Sequence, residues 1–140
     1  FNFIMLLEQN VSWDEIELLV DLLSKKISKL NRNFSSITTL SRGGLVPSRL
    51  VADNLGIETI LIDKKKISSN SLFIDDIFDS GDAFHKVLSK VDVPSKFVFA
   101  TLFARRGKTY PKNLIYAKKT DNDAYVVFPW DKLEFKRSKI

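Results

Sequence analysis

The segment LFIDDIFDSGDAF, residues 72–84, predicts a strand, an acidic turn and the start of a helix. Residues 72–74 form a short apolar run of the kind found in strands that are buried on both faces. Ser80 and Gly81 break this run, and from Ala83 onward the apolar residues recur at helical spacing. The turn therefore lies where backbone N–H groups and the positive end of a helix dipole can hold a phosphate.

Three carboxylates, those of Asp75, Asp76 and Asp79, accompany this predicted anion site. A ligand with both hydroxyl groups and a phosphate reconciles the two features, and a ribose 5-phosphate is such a ligand. Asp75 and Asp76 can accept hydrogen bonds from paired ribose hydroxyls, while the backbone of residues 79–84 takes the phosphate. For the motif taken alone, an ordinary strand-to-helix connection with solvated acids is the alternative.

The segment resembles the motif with which type I phosphoribosyltransferases bind phosphoribosyl pyrophosphate. The resemblance implies that Asp75 and Asp76 bind the ribose and Mg²⁺, and that Asp79 is a general base near N7 of a purine. It also implies a 5′-phosphate loop made of Asp79, Ser80, Gly81, Asp82, Ala83 and Phe84. The family usually has Lys or Gly and then Thr where this chain has Asp82 and Ala83. We therefore expect weaker 5′-phosphate binding, because Ala83 lacks a hydroxyl donor and Asp82 adds a negative charge.

A second loop, SRGG at residues 41–44, follows a short predicted strand and precedes a helix with Pro47 in its first turn. The glycines allow close backbone approach to a ligand, and the Arg42 guanidinium suits phosphate oxygens. A plain Gly-Gly turn is the alternative for this motif alone. Residues 41–56, SRGGLVPSRLVADNLG, resemble the pyrophosphate loop and following helix of xanthine-guanine phosphoribosyltransferases. That resemblance implies a non-proline cis peptide next to Arg42 and assigns pyrophosphate binding to Ser41, Arg42, Gly43 and Gly44.

A third loop follows the apolar strand predicted at residues 96–103 and contains Arg105. Because open parallel sheets bind ligands beyond the carboxyl ends of their strands, we expect the three loops to meet in one crevice. By resemblance, Arg105 takes the position of a lysine that contacts the purine O6. Tyr125 would stack on the purine, the Val126 carbonyl would accept from its amino edge, and Asp131 would assist at that edge. An edge strand with core aromatics is the alternative for this last segment.

The rest of the chain fits an α/β domain spanning residues 1–140. A capping box at Ser12 opens a long amphipathic helix. Its predicted core-facing residues are Trp13, Ile16, Leu19, Leu23, Ile27 and Leu30. A strand predicted at residues 58–62 looks too apolar to be exposed, and only the polar residues 63–70 follow it, where the family has a long hood. We thus expect the type I phosphoribosyltransferase fold, a parallel-rich central sheet flanked by helices, with a shortened hood.

The amino-acid composition argues against several classes of function. The chain has no cysteine and a single histidine, His85, which argues against a disulfide framework or a zinc centre. The net charge is +5, but no stripe of basic residues alternates with aromatics, so no nucleic-acid partner is expected. An RNA-binding regulator on this fold would rest on charge alone. The opening FNFIMLL lacks a basic leader and is too short to span a bilayer, so no membrane partner and a cytoplasmic location are expected.

The resemblance implies a Mg²⁺-dependent enzyme of purine salvage. It would transfer ribose 5-phosphate from phosphoribosyl pyrophosphate to N9 of a 6-oxopurine, which is guanine, xanthine or hypoxanthine, and would form a homodimer or homotetramer. The alternative is a phosphoribosyltransferase-like nucleotide-binding or regulatory protein with weak or no turnover. The short hood and Asp82 favour this alternative, whereas Asp79 and the base-binding segment favour the enzyme.

Overall fold

The computed structural model describes residues 7–131. Residues 1–6 and 132–140 lie outside this range, and with them most of the apolar opening segment. A single domain over residues 1–140 therefore stays a prediction. Within residues 7–131, none of the helices combines the length and the apolar character that a bilayer crossing requires.

The centre of the fold is a five-stranded parallel sheet with the strand order β3-β2-β4-β5-β6. Its strands are β2 (Ser36–Thr39), β3 (Ile60–Ile62), β4 (Ser71–Phe78), β5 (Phe99–Ala104) and β6 (Leu114–Lys119). A separate parallel pair joins β1 (Glu8–Asn10) to β7 (Tyr125–Val127). The α-helices are α1 (Trp13–Ser28), α2 (Leu45–Leu55) and α3 (Asp82–Leu88), with 3₁₀ turns at Pro94–Lys96 and Pro129–Asp131.

The central strand β4 is buried on both faces, as its apolar start predicts. Leu72 and Ile74 are fully buried in a cluster with α1 and α2, whereas Phe73 is buried in a second cluster with Phe84 of α3 and Phe99 of β5. This alternation follows from the two-residue period of a strand. It places α1 and α2 on one face of the sheet and α3 on the other, which confirms the expected architecture.

Helix α1 begins after Ser12, whose hydroxyl accepts a hydrogen bond from the backbone N–H three residues later at 3.1 Å. Four of the predicted core-facing residues are buried, namely Ile16, Leu19, Leu23 and Ile27. The prediction is wrong for Trp13 and Leu30, which are 56% and 38% exposed. Trp13 is in the first turn and packs at the domain edge against the ring of Trp130, at 5.9 Å between centroids. Leu30 lies beyond the last turn of the helix.

Three strands differ from their predicted form. The strand predicted at residues 96–103 is β5, which begins only at Phe99 because residues 94–96 form a 3₁₀ turn. The strand predicted to be buried at residues 58–62 is the shorter β3. Ile62 is 46% exposed because β3 lies at the edge of the sheet, where its one partner among the described strands is β2. Strand β4 extends through Phe78, so Asp75 and Asp76 lie on the strand itself rather than in the turn. The two adjacent carboxylates are consequently attached to regular, hydrogen-bonded strand backbone, which limits their freedom to move.

Candidate active site

The SRGG loop lies directly on the carboxyl end of β4. A Cβ atom added to Gly43 would be 2.8 Å from Oδ2 of Asp76. A Cβ atom added to Gly44 would overlap Oγ1 of Thr39 and lie 2.9 Å from the carbonyl oxygen of Ile74. Both glycines are therefore required by close backbone approach, and the loop predicted to bind pyrophosphate adjoins the predicted ribose-binding carboxylates.

The other end of this loop is fixed by Asp63, the first residue after β3. The backbone N–H of Ser41 donates to Oδ1 of Asp63 at 2.9 Å, and the Ser41 hydroxyl donates to Oδ2 at 2.6 Å. These two hydrogen bonds hold the pKa of the Asp63 carboxyl below its ordinary value. The Ser41–Arg42 peptide is cis, as the resemblance implied. Asp63 belongs to the segment that the sequence predicts to be a polar connection, although its place directly after a strand is a signal that could identify it.

Asp75 and Asp76 form a crowded, half-buried pair of carboxylates. Oδ1 of Asp75 accepts from the Asp76 N–H, and Oδ1 of Asp76 accepts from the Ile77 N–H, both at 2.8 Å. Burial raises the pKa of Asp75 above its ordinary value. Burial, followed by the adjacent Asp75 carboxyl, raises the pKa of Asp76 to about 8. Their unfavourable charge would be relieved by a cation or by hydroxyl donors, which are the partners that a Mg²⁺-bound ribose supplies.

Asp79 forms an ion pair with Arg105 across the carboxyl ends of β4 and β5. Nε of Arg105 lies 3.0 Å from Oδ1 of Asp79, and Nη2 lies 3.4 Å from Oδ2. The Arg105 side chain is only 10% exposed, whereas that of Asp79 is 57% exposed. Asp79 thus stays accessible to solvent while a buried guanidinium fixes its orientation.

The same guanidinium reaches the segment that precedes Tyr125. Nη1 of Arg105 donates to the carbonyl oxygens of Asn122 and Ala124, at 3.1 and 2.8 Å. Of the five N–H donors of an arginine, four are directed at these two carbonyls and Asp79. Arg105 therefore joins the acidic loop to the start of the predicted base-binding segment, a role that position in the sequence could not reveal.

The structure places the residues of the predicted base-binding segment unequally. Tyr125, at the start of β7, is 51% exposed and follows the carbonyl that Arg105 contacts. Val126 is buried, and Asp131 lies on the final 3₁₀ turn, where its N–H donates to the Phe128 carbonyl. The Arg105 contact with Ala124 therefore brings the residue before Tyr125 to the acidic loop.

The predicted 5′-phosphate loop makes a tight turn into α3. Gly81 has φ +92°, a conformation that favours glycine. The Asp82 N–H is directed at the Ser80 hydroxyl at 3.3 Å, so one amide of the loop already has an internal partner. Asp82 and Ala83 are exposed, and Phe84 is buried, so Phe84 can offer a ligand only its backbone.

A groove of about 780 Å³ lies away from this crevice, at the amino ends of β2 and β3. Arg32 and Phe34 line it. The Arg32 guanidinium donates to the carbonyl oxygens of Lys96 and Ser69, so its charge is used to connect loops of the scaffold. The chemistry-bearing side chains converge at the opposite end of the sheet.

The donor set at the crevice fits Mg²⁺ better than a metal held entirely by protein. Among residues 7–131 there is no group of three or more His, Cys, Asp or Glu side chains arranged for a metal ion. Mg²⁺ is commonly held by one or two carboxylates, with substrate oxygens and waters as the other ligands. Asp75 and Asp76 provide such a pair.

Comparison with known proteins agrees with this geometry. No protein-family model matches the chain. The xanthine-guanine phosphoribosyltransferase of Gluconobacter oxydans (strain 621H) is 26% identical over an alignment of 144 positions, and the alignment covers 86% of this chain and 83% of the relative.

Solved structures show the same fold. The Helicobacter pylori xanthine-guanine-hypoxanthine phosphoribosyltransferase superposes with a TM-score of 0.71 at 16% identity, covering 95% of this chain and 99% of the other. For a purine phosphoribosyltransferase from Pyrococcus horikoshii Ot3, the TM-score is 0.69 at 19% identity, covering 88% and 93%. A hypothetical protein from Neisseria gonorrhoeae with bound ppGpp gives 0.71 at 16% identity, covering 98% and 96%. The chain has the type I phosphoribosyltransferase fold, and in sequence and structure it resembles the purine phosphoribosyltransferases.

Proposed function

We propose that this chain is a purine phosphoribosyltransferase that transfers ribose 5-phosphate from phosphoribosyl pyrophosphate to N9 of a 6-oxopurine. The observation behind the proposal is two groups of contacts at one end of the sheet, joined by the short stretch of chain from Asp76 to Asp79. Gly43 adjoins Asp76, Asp79 pairs with Arg105, and Arg105 contacts the residue before Tyr125. Sites for a pyrophosphate, a ribose 5-phosphate and a flat ring thus follow one another around a single crevice.

Each part of the crevice has a role in this proposal. Residues 41–44 bind the leaving pyrophosphate, and the backbone of residues 79–84 binds the 5′-phosphate. Asp75 and Asp76 bind the ribose hydroxyls and would hold Mg²⁺, which would supply positive charge to offset the negative charge of the ligand and of the two carboxylates. The purine contacts come from Arg105, Tyr125, Val126 and Asp131.

The reaction exchanges one bond at C1′ for another. The bond from C1′ to the pyrophosphate oxygen breaks, the bond to N9 of the purine forms, and positive charge develops on C1′ and the ring oxygen. Holding the leaving group, ribose and base in line is the main task of the protein. The purine gives up a proton, which the exposed carboxylate of Asp79 accepts near N7 while Arg105 keeps the carboxylate oriented. We infer a homodimer or homotetramer, and we assign the reaction to cytoplasmic purine salvage.

Turnover tests the proposal directly. The protein is incubated with Mg²⁺, phosphoribosyl pyrophosphate and guanine, xanthine or hypoxanthine in turn, and nucleoside monophosphate formation is followed. We expect product with at least one base and a loss of roughly 100-fold or more in kcat for Asp79→Asn. Asp53→Asn is the matched control, because Asp53 is an exposed acid on α2 paired with Arg49. Turnover that Asp79→Asn leaves unchanged would contradict the assignment of the base.

A second candidate function is a nucleotide-binding regulator with little turnover. Two observations favour it: the Asp82 amide is already directed at the Ser80 hydroxyl, and a neighbour of the same fold carries bound ppGpp. Saturable binding of a guanine nucleotide without product formation in the assay would select this candidate. Light scattering on the same samples measures the oligomeric state.

A further inference from the structure

The pyrophosphate loop is held at both of its ends by different means. At the Gly44 end it packs on Thr39 and the Ile74 carbonyl, where only glycine fits. At the Ser41 end it is held by the two hydrogen bonds from Ser41 to the Asp63 carboxylate, at 2.9 and 2.6 Å. The second attachment joins residues that are 22 positions apart in the chain and lie beyond neighbouring strands.

Asp63 is itself placed by backbone contacts. Its N–H donates to the Thr39 carbonyl at 3.0 Å, which continues the pairing of β2 with β3 by one residue. Its φ of +54° turns the chain sharply there. An acid tolerates this conformation better than most side chains do, and the turn directs the carboxylate toward Ser41.

A carboxylate beside a loop for pyrophosphate cannot contact that ligand favourably, because both are negatively charged. Both oxygens of Asp63 instead accept hydrogen bonds from Ser41, and they fix the backbone that leads into Arg42 and Gly43. The three lysines at residues 64–66, all exposed, follow directly. The turn at Asp63 thus also determines where the segment of three lysines begins relative to residues 41–44.

We propose that Asp63 is a positioning residue for pyrophosphate, acting through its two hydrogen bonds to Ser41 rather than by touching the ligand. This inference rests on the proposed function, since it assigns a determinant of pyrophosphate affinity at the same crevice. Asp63 sets the conformation of residues 41–44 before the ligand arrives, which lowers the cost of ordering the loop on binding.

The experiment compares wild type with Asp63→Ala, Asp63→Asn and the control Asp53→Ala. Dissociation constants are measured by calorimetry for two probes, pyrophosphate with Mg²⁺ and guanosine 5′-monophosphate. Asp63→Ala is expected to weaken pyrophosphate binding by about 10-fold, because two charge-assisted hydrogen bonds are lost at an exposed site. It should leave the monophosphate constant within about 2-fold, because that ligand uses the acidic loop and base segment instead. Asp63→Asn can keep the bond from the Ser41 N–H and should stay within about 3-fold of wild type for both probes.

Hydrogen exchange of the backbone over residues 40–45, measured without ligand, gives an independent result. Asp63→Ala should speed exchange in this segment while the exchange of β4 stays unchanged. Equal weakening of both probes, or unchanged pyrophosphate binding together with unchanged exchange, would overturn the assignment. If wild type binds neither probe, the proposed function fails, and the exchange comparison alone then supports or overturns the role of Asp63 in fixing the loop.

Discussion

Replacing Asp76 with asparagine is expected to make the ligand-free protein more stable. Asp76 is half-buried beside Asp75, and its raised pKa of about 8 means that the fold disfavours its charged form. Asparagine has nearly the same shape and keeps an oxygen that can accept from the Ile77 N–H. The substitution therefore removes an unfavourable charge without opening a cavity.

The sign of the pH dependence follows from the direction of this shift. An acid with a higher pKa in the folded state than in the unfolded state binds more protons when folded, so its contribution to stability falls as pH rises between the two values. For Asp76 the ordinary pKa, which stands for the unfolded state, is 3.8, and the pKa in the folded protein is about 8. Taken in full, this pKa shift would correspond to several kcal/mol in the free energy of unfolding. Water that reaches the half-buried carboxylate solvates its charge, so only a part of that destabilisation remains. We expect Asp76→Asn to raise the free energy of unfolding by about 1–3 kcal/mol near pH 8 and by much less near pH 5.

Urea denaturation of wild type, Asp76→Asn and Asp53→Asn, each at about pH 5 and pH 8, measures the effect. The control should differ little from wild type at both pH values, because its ion pair with Arg49 is exposed on both sides. Asp76→Asn should also lose most of the stabilisation that Mg²⁺ with phosphoribosyl pyrophosphate gives to wild type. An Asp76→Asn protein that is no more stable than wild type near pH 8, or whose advantage does not change with pH, would show that the fold does not disfavour the charged form of Asp76.

Three further substitutions, each paired with a control substitution, test other contacts of the site. Gly44→Ala should lower the free energy of unfolding by about 1–3 kcal/mol, because the added methyl group overlaps Thr39. Gly56→Ala is the control and should lower it by about 1–2 kcal/mol, because Gly56 has open space around it but a positive φ. Urea denaturation that ranks Gly56→Ala as the more harmful substitution would contradict this. Arg105→Met should lower the free energy of unfolding by about 3 kcal/mol or more in the same assay, because it leaves two carbonyl oxygens and Asp79 without their partner. Arg105→Lys should lower it by less. An Arg105→Met protein as stable as wild type would argue against Arg105 as the connection between the acidic loop and the segment before Tyr125. Tyr125→Ala should weaken guanosine 5′-monophosphate binding by about 1–3 kcal/mol in calorimetry, because the stacking contact is lost. Tyr125→Phe keeps an aromatic ring and should bind about as tightly as wild type. Equal affinities for all three proteins would show that Tyr125 does not contact the base.

Local patterns in the sequence predicted strands at the positions of β2, β3, β4 and β5, but they did not predict β1. The apolar run at residues 72–74 gave a buried central strand, and the glycines of residues 41–44 proved to lie where backbones approach closely. The exposure of Ile62 was not predictable from composition, because an apolar strand looks the same at the edge and in the middle of a sheet. Strand order depends on contacts between distant segments, which periodicity does not contain.

The side-chain partners in the site were the least predictable part. Asp63 and Ser41 are 22 positions apart, and Asp79 and Arg105 are 26 apart, so neither pair leaves a signal in local spacing. Arg105 had been predicted to contact a purine oxygen, and that prediction stays open. Its contacts with Asp79, Asn122 and Ala124 show in addition that it connects two parts of the site. A position can thus be anticipated by resemblance while the geometry of its side chain cannot.

A crystal structure of the protein with guanosine 5′-monophosphate and Mg²⁺-pyrophosphate bound would show whether the three loops form one site. We expect one crevice in which the 5′-phosphate lies on the backbone of residues 79–84, the ribose on Asp75 and Asp76, the pyrophosphate on residues 41–44 and the purine against Tyr125. Ligands bound at separate faces of the sheet, or a nucleotide seated in the groove beside Arg32, would contradict it.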